Sequence, residues 1–375
     1  MTLIENTSTE VLGDSSKRIL LDIIGQLTSG MELGRISLPV FILEPLSMLE
    51  RITNFSAHPN LLLEAIDDDD PESRFISVVR YFLSGWHIKA KGVKKPYNPV
   101  LGEIFRCQYK FDDGSKGYYF AEQVSHHPPI STYFFANPQK GLVIQGDLRP
   151  KSRFLGNSAA TLMHGSTRIN MLSRNSETYE ITFPNAYAKG ILIGTMHFEI
   201  GGHSTVQCKE SDLVCYLDFK TTGIFHSHMN RVHGHIKRLS TGQTLYEITG
   251  GWDDKLYIKN TQDKEEKLLL DVNVLHRHEL IVEPEERQEL NESRRCWSLV
   301  TQALNAGDME TATQEKCNIE ERQRQEGDLR EQNKKTWSPK YFDLQNDIYT
   351  LKCYSSLNMN NALEAESMIE NTLFQ

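Results

Sequence analysis

Two imidazoles stand side by side in Glu122-Gln123-Val124-Ser125-His126-His127-Pro128-Pro129-Ile130-Ser131, and two prolines follow at once. Neighbouring side chains on an extended backbone point to opposite faces. Proline fixes φ and donates nothing to a sheet ladder, so the pair falls where a strand ends or meets a loop. Two rings able to donate hydrogen bonds at such a rim suit a phosphate better than a core. The plainer alternative is one histidine buried and bonded, with the other on the surface. A second stretch, Lys94-Lys95-Pro96-Tyr97-Asn98-Pro99-Val100-Leu101-Gly102-Glu103, follows Lys89 and Lys91, so positive charge is crowded just before two prolines hold Asn98 in a turn. Taken alone, a lysine run of this kind reads as a solvated face. The third set is Lys316, Glu320 and Arg324, at successive spacings of four. On a helix each such step turns only about 40°, so the three share one stripe. Glu320 preceding Arg324 is the favourable order for an ion pair, worth roughly 0.3–0.5 kcal/mol on an exposed helix.

Other chemistries have weaker support. His226-x-His228 and His233-x-His235 could face each other across a hairpin at metal-like spacing, yet no carboxylate or cysteine stands beside them, and no metal is expected. Ser125 or Ser131 with a histidine would begin a lipid hydrolase, but there is no Gly-x-Ser-x-Gly elbow. The expectation is therefore a binding protein rather than an enzyme, with no cofactor. The six cysteines (Cys107, Cys208, Cys215, Cys296, Cys317, Cys353) are scattered without a CxxC pair, which points to reduced thiols in a cytoplasmic setting.

A chain of 375 residues with 39% hydrophobic content can bury a sizeable core. Its formal charge of -9 opposes nucleic-acid binding, while leaving room for a local basic site that holds one small anion. No apolar run approaches the roughly 18 residues of a membrane span, and the polar start lacks a signal-peptide pattern. Transient, peripheral contact with membranes is the expectation.

The elements that must position these residues follow from periodicity. Ile19, Leu20, Ile23, Ile24 and Leu27 fall at helical spacing with charges between them, a short amphipathic helix that Gly25 weakens and Gly30 ends. Such a helix either packs on a domain surface or lies as a lid over an apolar opening. Leu33 to Leu43 reads as extended and apolar. Met48 to Leu63 and Glu72 to Ser84 read as helices, separated by the acidic loop Asp67–Asp70. From Trp86 to about Leu280, short alternating runs separated by turns describe an antiparallel meander, which must close into a barrel or fold into a sandwich to lose its edges. A wide barrel encloses a tunnel unless side chains fill it. Within the meander, Gly156-Asn157-Ser158 and Pro184 to Gly190 read as turns and bulges. After Glu283 the pattern returns to helix with Pro284 at its first position, and Asp308 caps a second helix through about Gln325. The expected divisions are 1–30, 31–85, 86–282, 283–345 and a tail, 346–375, without an evident place.

The three chemical stretches together resemble the oxysterol-binding protein family, over roughly residues 16–345. The decapeptide with His126 and His127 looks like that family's signature, and Lys94 to Glu103 is similar to its Lys-Pro-x-Asn-Pro-x-Leu-Gly-Glu motif. The resemblance implies an α+β, mainly β fold: a large incomplete antiparallel barrel around a lipid tunnel, with an N-terminal helical lid and a C-terminal helical subdomain. It implies exchange of phosphatidylinositol 4-phosphate for a second lipid, with Lys95, Asn98, His126, His127, Lys316, Glu320 and Arg324 at the headgroup. Ile19, Ile23, Leu27, Leu33, Ile36, Ser37, Leu38 and Pro39 would form the lid and touch the second lipid. Residues 30–43 are closer to the branch that exchanges phosphatidylserine than to the sterol-carrying branch, and a sterol is the alternative. The chain resembles a short member, without the pleckstrin-homology or ankyrin regions of longer ones. Protein partners are left open.

Overall fold

Between Ile104 and Asp271 the alternating runs pair into one antiparallel sheet, fourteen-stranded among the described residues of the computed structural model. Those residues are 28–32, 39–89, 92–193, 195–222 and 229–374. The first four strands, Ile104–Lys110, Lys116–Ser125, Ile130–Asn137 and Leu142–Phe154, form a meander. The sheet then forks. Leu142 to Gly146 pair with Ser166–Met171, while Arg149 to Phe154 pair with Ser158–His164. Both arms rejoin on His197–Cys208, and a second meander runs on to Glu266–Asp271. The two end strands do not pair with each other, so the barrel stays incomplete. The edge at Ile104–Lys110 is covered instead, by Asn291, whose carbonyl accepts from Ile104 N–H, and by a two-way bond between Gln108 and Ile281.

Strand alternation sends successive side chains of the first meander into two different cores. Tyr119, Tyr133 and Phe135 point inward with Tyr109, Phe219 and Trp252. Onto this inner face pack the helices Asn60–Asp67 and Pro71–Ser84, through Leu62, Phe75, Val78, Val79 and Leu83. Asp70 caps the second of these by accepting from Ser73 N–H, and Arg74 forks onto Glu177 of the sheet with bonds of 2.9 and 2.5 Å. The alternate residues Tyr118, Phe120, Phe134 and Val143 point outward, where Phe342, Leu351, Leu357, Ile369 and Leu373 cover them. Residues 346–374, which had no place from sequence, thus complete a hairpin (Phe342–Gln345 with Ile348–Leu351) and supply the helix Ala362–Leu373 that seals the outer face. Part of the interior is a small cavity of about 20 Å³ lined by Phe55, Tyr81, Phe82, Tyr133, Ile144, Ile181 and Phe183 among others.

Three readings of local structure are corrected. No helix starts at Pro284: Glu285–Arg287 is a single 3-10 turn, and helix begins at Ser293–Cys296 and continues as Ser298–Asn305. The intervening backbone is held instead by Ile104 N–H on Asn291 and by Glu292, whose carboxylate takes a fork from the buried Arg106. Asp308 does cap the next helix, by accepting from Thr311 N–H, but that helix, Met309–Gln332, runs past Gln325. Val40–Ile42 is a 3-10 turn rather than extended chain, and Leu43–Ser47 after it lies parallel to Lys95–Tyr97. Residues 16–27, read as a helix, lie outside the described residues, as do 33–38.

Glu103 joins these parts. Fully buried, its Oε1 accepts from Ser47 Oγ at 2.5 Å and Ser293 Oγ at 2.7 Å, and its Oε2 from Trp297 Nε1 at 2.9 Å and Val100 N–H at 3.0 Å. Burial raises its pKa and the four bonds oppose that rise. Glu103→Ala should therefore lower unfolding free energy by about 3–5 kcal/mol, because four buried donors lose their acceptor, whereas Ser293→Ala should cost about 1 kcal/mol. Urea denaturation measures both; equal, small losses would contradict the hub.

Candidate anion-binding site

The two proline-bearing stretches lie against each other. Gly102 N–H donates to the Gln123 carbonyl at 2.9 Å, and Gln123 N–H to the Glu103 carbonyl at 2.8 Å. Gly102 has φ +79°, and a Cβ there would sit 2.6 Å from the Trp337 ring, so the approach needs glycine. Tyr97 anchors the turn from below: its ring stacks on Trp297 at 4.5 Å, and its hydroxyl bonds Thr301 at 3.0 Å. The histidine loop is braced by Gln123, whose amide donates to the Ser125 carbonyl at 2.8 Å and accepts from Ser131 Oγ at 2.5 Å. Buried Glu122 turns the other way and accepts from the backbone N–H of Lys340 and Tyr341, at 2.7 and 2.9 Å.

At the tip of that loop the two histidines differ. Their rings are 4.5 Å apart, but His127 is exposed while His126 is half-buried. Burial, and then the neighbouring His127, push the His126 pKa down to about 4, against the pull of the Pro99 carbonyl and Glu320. His126 is thus neutral near pH 7. Gln323 fixes its tautomer. Leu101 N–H donates to Gln323 Oε1 at 2.8 Å, which leaves the amide nitrogen to donate to His126 Nε2, also at 2.8 Å. The ring proton then sits on Nδ1, a buried atom.

Lys316 is buried on the Met309–Gln332 helix and bonds Glu320 at 2.6 Å. Lys95 is exposed to solvent yet crowded by protein; burial and then the charge of Lys316 lower its pKa. Six of the seven expected headgroup residues are thus linked neighbour to neighbour, from Lys95 through Lys316, Glu320 and His126 to His127 and Arg324, and the last three of these, His126, His127 and Arg324, line one crevice. The seventh, Asn98, is exposed on the adjoining turn between Tyr97 and Pro99. The lysine run does not act as a unit: Lys89 lies 4.8 Å over the Trp252 ring and Lys94 donates to the Phe41 carbonyl, while Lys91 lies outside the described residues.

Arg324 corrects one expectation. It pairs with Glu321 at 2.7 Å, not with Glu320, and its side chain is largely exposed. Two 40° steps put it about 80° from Lys316, whereas position 323 returns to within about 20°. The helix stripe thus contained the signal for Gln323. Arg324 still lines the adjoining cavity of about 680 Å³, together with His126, His127, Gln323, Arg330 and Trp337. Arg330 lies 5.6 Å over the Trp337 ring. Sequence reasoning missed this pair, since nothing local ties Trp337 to Gly102.

Of the lid residues, Pro39 is described and half-buried before the Val40–Ile42 turn; Ile19, Ile23, Leu27, Leu33, Ile36, Ser37 and Leu38 lie outside the described residues. His233 and His235 are exposed on Arg231–Arg238, opposite Asp218 and Tyr216, and His226 and His228 lie outside the described residues. Among the described residues there is no group of three metal-ligating side chains and no helix long and apolar enough to cross a membrane.

The family model for oxysterol-binding protein matches residues 22–302 and 299–365. An oxysterol-binding protein homolog of Schizosaccharomyces pombe is 44% identical over 351 residues, covering 91% of this chain and 73% of the relative. Oxysterol-binding protein homolog 7 of Saccharomyces cerevisiae is 43% identical over 317 residues, or 82% of this chain and 71% of the relative. Among solved structures, the Osh1 ORD domain in complex with cholesterol aligns with a TM-score of 0.74 at 22% identity, covering 96% of this chain and 93% of that one. The Osh3 ORD in complex with PI(4)P from Saccharomyces cerevisiae aligns at 0.69 and 19% identity, covering 99% and 98%. At such identities the structures establish the fold, and the sequence matches establish the lineage: this chain belongs to the oxysterol-binding protein family.

Proposed function

We propose that this chain carries one lipid at a time between cytosolic membrane faces, exchanging phosphatidylinositol 4-phosphate for a second lipid. The observation that carries this reading is the meeting of Lys95 and Lys316. Two ammonium groups from distant segments come within each other's field, where burial and then the charge of Lys316 lower the Lys95 pKa, an arrangement that favours an anion between them. A phosphomonoester has about two negative charges near neutral pH, and Lys95, Asn98, His127, Lys316 and Arg324 surround the place it would occupy. His126 and Glu320 hold the ring and the lysine in position. The solved Osh3 complex with PI(4)P, on the same fold, supports the choice of headgroup.

A carrier needs an apolar interior as well as a headgroup site. Moving a chain of about 16 carbons through water would cost on the order of 13 kcal/mol at about 0.8 kcal/mol per CH₂. The inner face offers aromatic and aliphatic walls, but its small cavity is about 20 Å³. An acyl chain entering there would displace part of that wall. In this reading residues 1–30 form the lid, and Leu33, Ile36, Ser37, Leu38 and Pro39 meet the second lipid. Phosphatidylserine is the second lipid we favour, on the character of residues 30–43. A sterol is the alternative, and the Osh1 complexes with cholesterol and ergosterol are on its side. A sensor or scaffold that binds lipid without moving it is the rival from another class, and transfer between vesicles separates it from a carrier.

Two outcomes are expected. His126→Ala with His127→Ala should weaken extraction of phosphatidylinositol 4-phosphate at least about tenfold with the fold intact, since the loop contributes donors rather than core volume. In the unsubstituted chain a bound phosphate raises the His126 pKa from about 4, so binding takes up protons, and above the phosphate's own second pKa of about 6 affinity should rise as pH falls from about 7.5 towards 6.5. A flat profile, or unchanged extraction by the soluble double variant, would remove the histidines from the site.

The second concerns the exchanged lipid. With phosphatidylinositol 4-phosphate in acceptor vesicles, transfer of phosphatidylserine should exceed transfer of a sterol offered at the same concentration. Brisk sterol transfer with none of phosphatidylserine would reverse the choice.

A further inference from the structure

At the end of the sheet where Leu142–Phe154 turns into Ser158–His164, four apolar side chains face solvent together. Leu155 stands at the turn, Leu192 and Ile193 in the neighbouring loop, and Met31 on the adjoining segment; Ile193 is 79% exposed. The backbone beneath them is firmly tied. Asn157 Oδ1 accepts from the N–H groups of Leu192 and Ile193, each at 2.8 Å, and its Nδ2 donates to the Ile193 carbonyl at 3.0 Å. Gly30 N–H donates to the Phe154 carbonyl at 2.7 Å, and Phe154 N–H to the Met31 carbonyl at 2.9 Å. These bonds hold three segments in one rim and require nothing of the apolar side chains, which are left pointing outward.

Charge accompanies the apolar rim. Strand alternation puts Lys151, Arg153 and Leu155 on one face, and all three are exposed. Glu32, the backbone partner of Arg153, is an acid beside them. Under the rim, Phe154 and Met196 pack with Phe41, Val93 and Ile191. Phe41 and Val93 flank the Lys94–Lys95 turn, and the Phe41 carbonyl holds Lys94 Nζ at 2.7 Å. The rim and the anion crevice therefore share a rigid underlayer.

We propose that this rim is a membrane-docking surface, which inserts Leu155, Leu192 and Ile193 into a bilayer while Lys151 and Arg153 meet anionic headgroups. A chain of formal charge -9 is repelled by an anionic surface unless it presents a local cationic face, and this rim has one. Four side chains make a patch too small for a stable protein interface, whereas a bilayer accepts an apolar tip without shape complementarity. Docking here would set the crevice of Lys95 close to the headgroup layer. The proposal deepens the carrier reading, and its test uses vesicles without phosphoinositide, so that failure of the headgroup assignment and failure of the docking surface are told apart.

The probe is the 375-residue chain with vesicles of phosphatidylcholine containing about 20 mol% phosphatidylserine, an anionic surface of cytoplasmic type. Ile193→Trp should gain blue-shifted emission over the unsubstituted chain and be quenched by lipids brominated on the acyl chain. In flotation, Leu192→Ser with Ile193→Ser should reduce binding by roughly tenfold or more, from the lost burial of two large aliphatic side chains. Lys151→Glu with Arg153→Glu should also weaken it, and binding should fall as salt rises. Unchanged thermal unfolding midpoints show that the variants are folded. Flotation of Leu192→Ser with Ile193→Ser at the unsubstituted level would overturn the proposal. So would an Ile193→Trp emission that vesicles do not move, or loss of a dimer in that serine variant with vesicle binding intact, which would make the rim a contact between copies of this chain.

Discussion

The carboxylate of Glu103 accepts hydrogen bonds from Ser47, Val100, Ser293 and Trp297, residues that belong to the start of the fold, the proline turn and the C-terminal helices. A charge buried to this degree is tolerable only with its acceptor sites filled, and here both oxygens are. Because the donors come from three separate parts of the chain, the carboxylate fixes their mutual placement as no apolar contact could. Lys95 stands at the other end of the same turn, Lys316 on the Met309–Gln332 helix, the second after Trp297, and His126 on the loop whose Gln123 bonds the Glu103 carbonyl. The anion crevice depends on that one buried group.

The charges of the crevice are set against one another. Lys95 and Lys316 repel, Glu320 offsets part of that through its 2.6 Å bond to Lys316, and His126 is kept uncharged by burial and by Gln323. Adding a third cation before ligand arrives would raise the repulsion; a neutral ring avoids this, and the approach of a phosphate can then draw a proton to it. The two adjacent histidines thus have unequal parts. His127 is the exposed one, and His126 belongs to the scaffold until an anion changes its surroundings.

The rim of Leu155, Leu192 and Ile193 bears on the same question of placement. Its backbone bonds are satisfied by Asn157 and by the Gly30–Met31 segment, and its packing rests on Phe154 and Phe41 beside the lysine turn. A surface that is rigid relative to the crevice can orient it, which a mobile tail could not do.

From sequence alone, local order was legible wherever local spacing causes it. The short alternating runs between Trp86 and Leu280 and the cap residue Asp308 announced their elements, because strand pleat and helix termini impose their demands within a few residues, whereas Asp70, read as part of an acidic loop, proved to be a cap. The proline pairs and the lysine-histidine motifs likewise marked two stretches that the structure brings against each other. What lay beyond reach depends on partners far along the chain. Gln323 meets His126 across 197 positions, Glu103 meets Trp297 across 194, and residues 285–292 forgo helix because Ile104 and Arg106 claim their backbone and side chains. The spacing of Lys316, Glu320 and Arg324 was a true helical stripe, yet only the packed helix decided that Gln323, nearer the axis of that stripe, turns inward and Arg324 turns towards Glu321. Sequence determines what each segment can form; long-range hydrogen bonds and burial, gained only when the segments meet, select which side chains face the site.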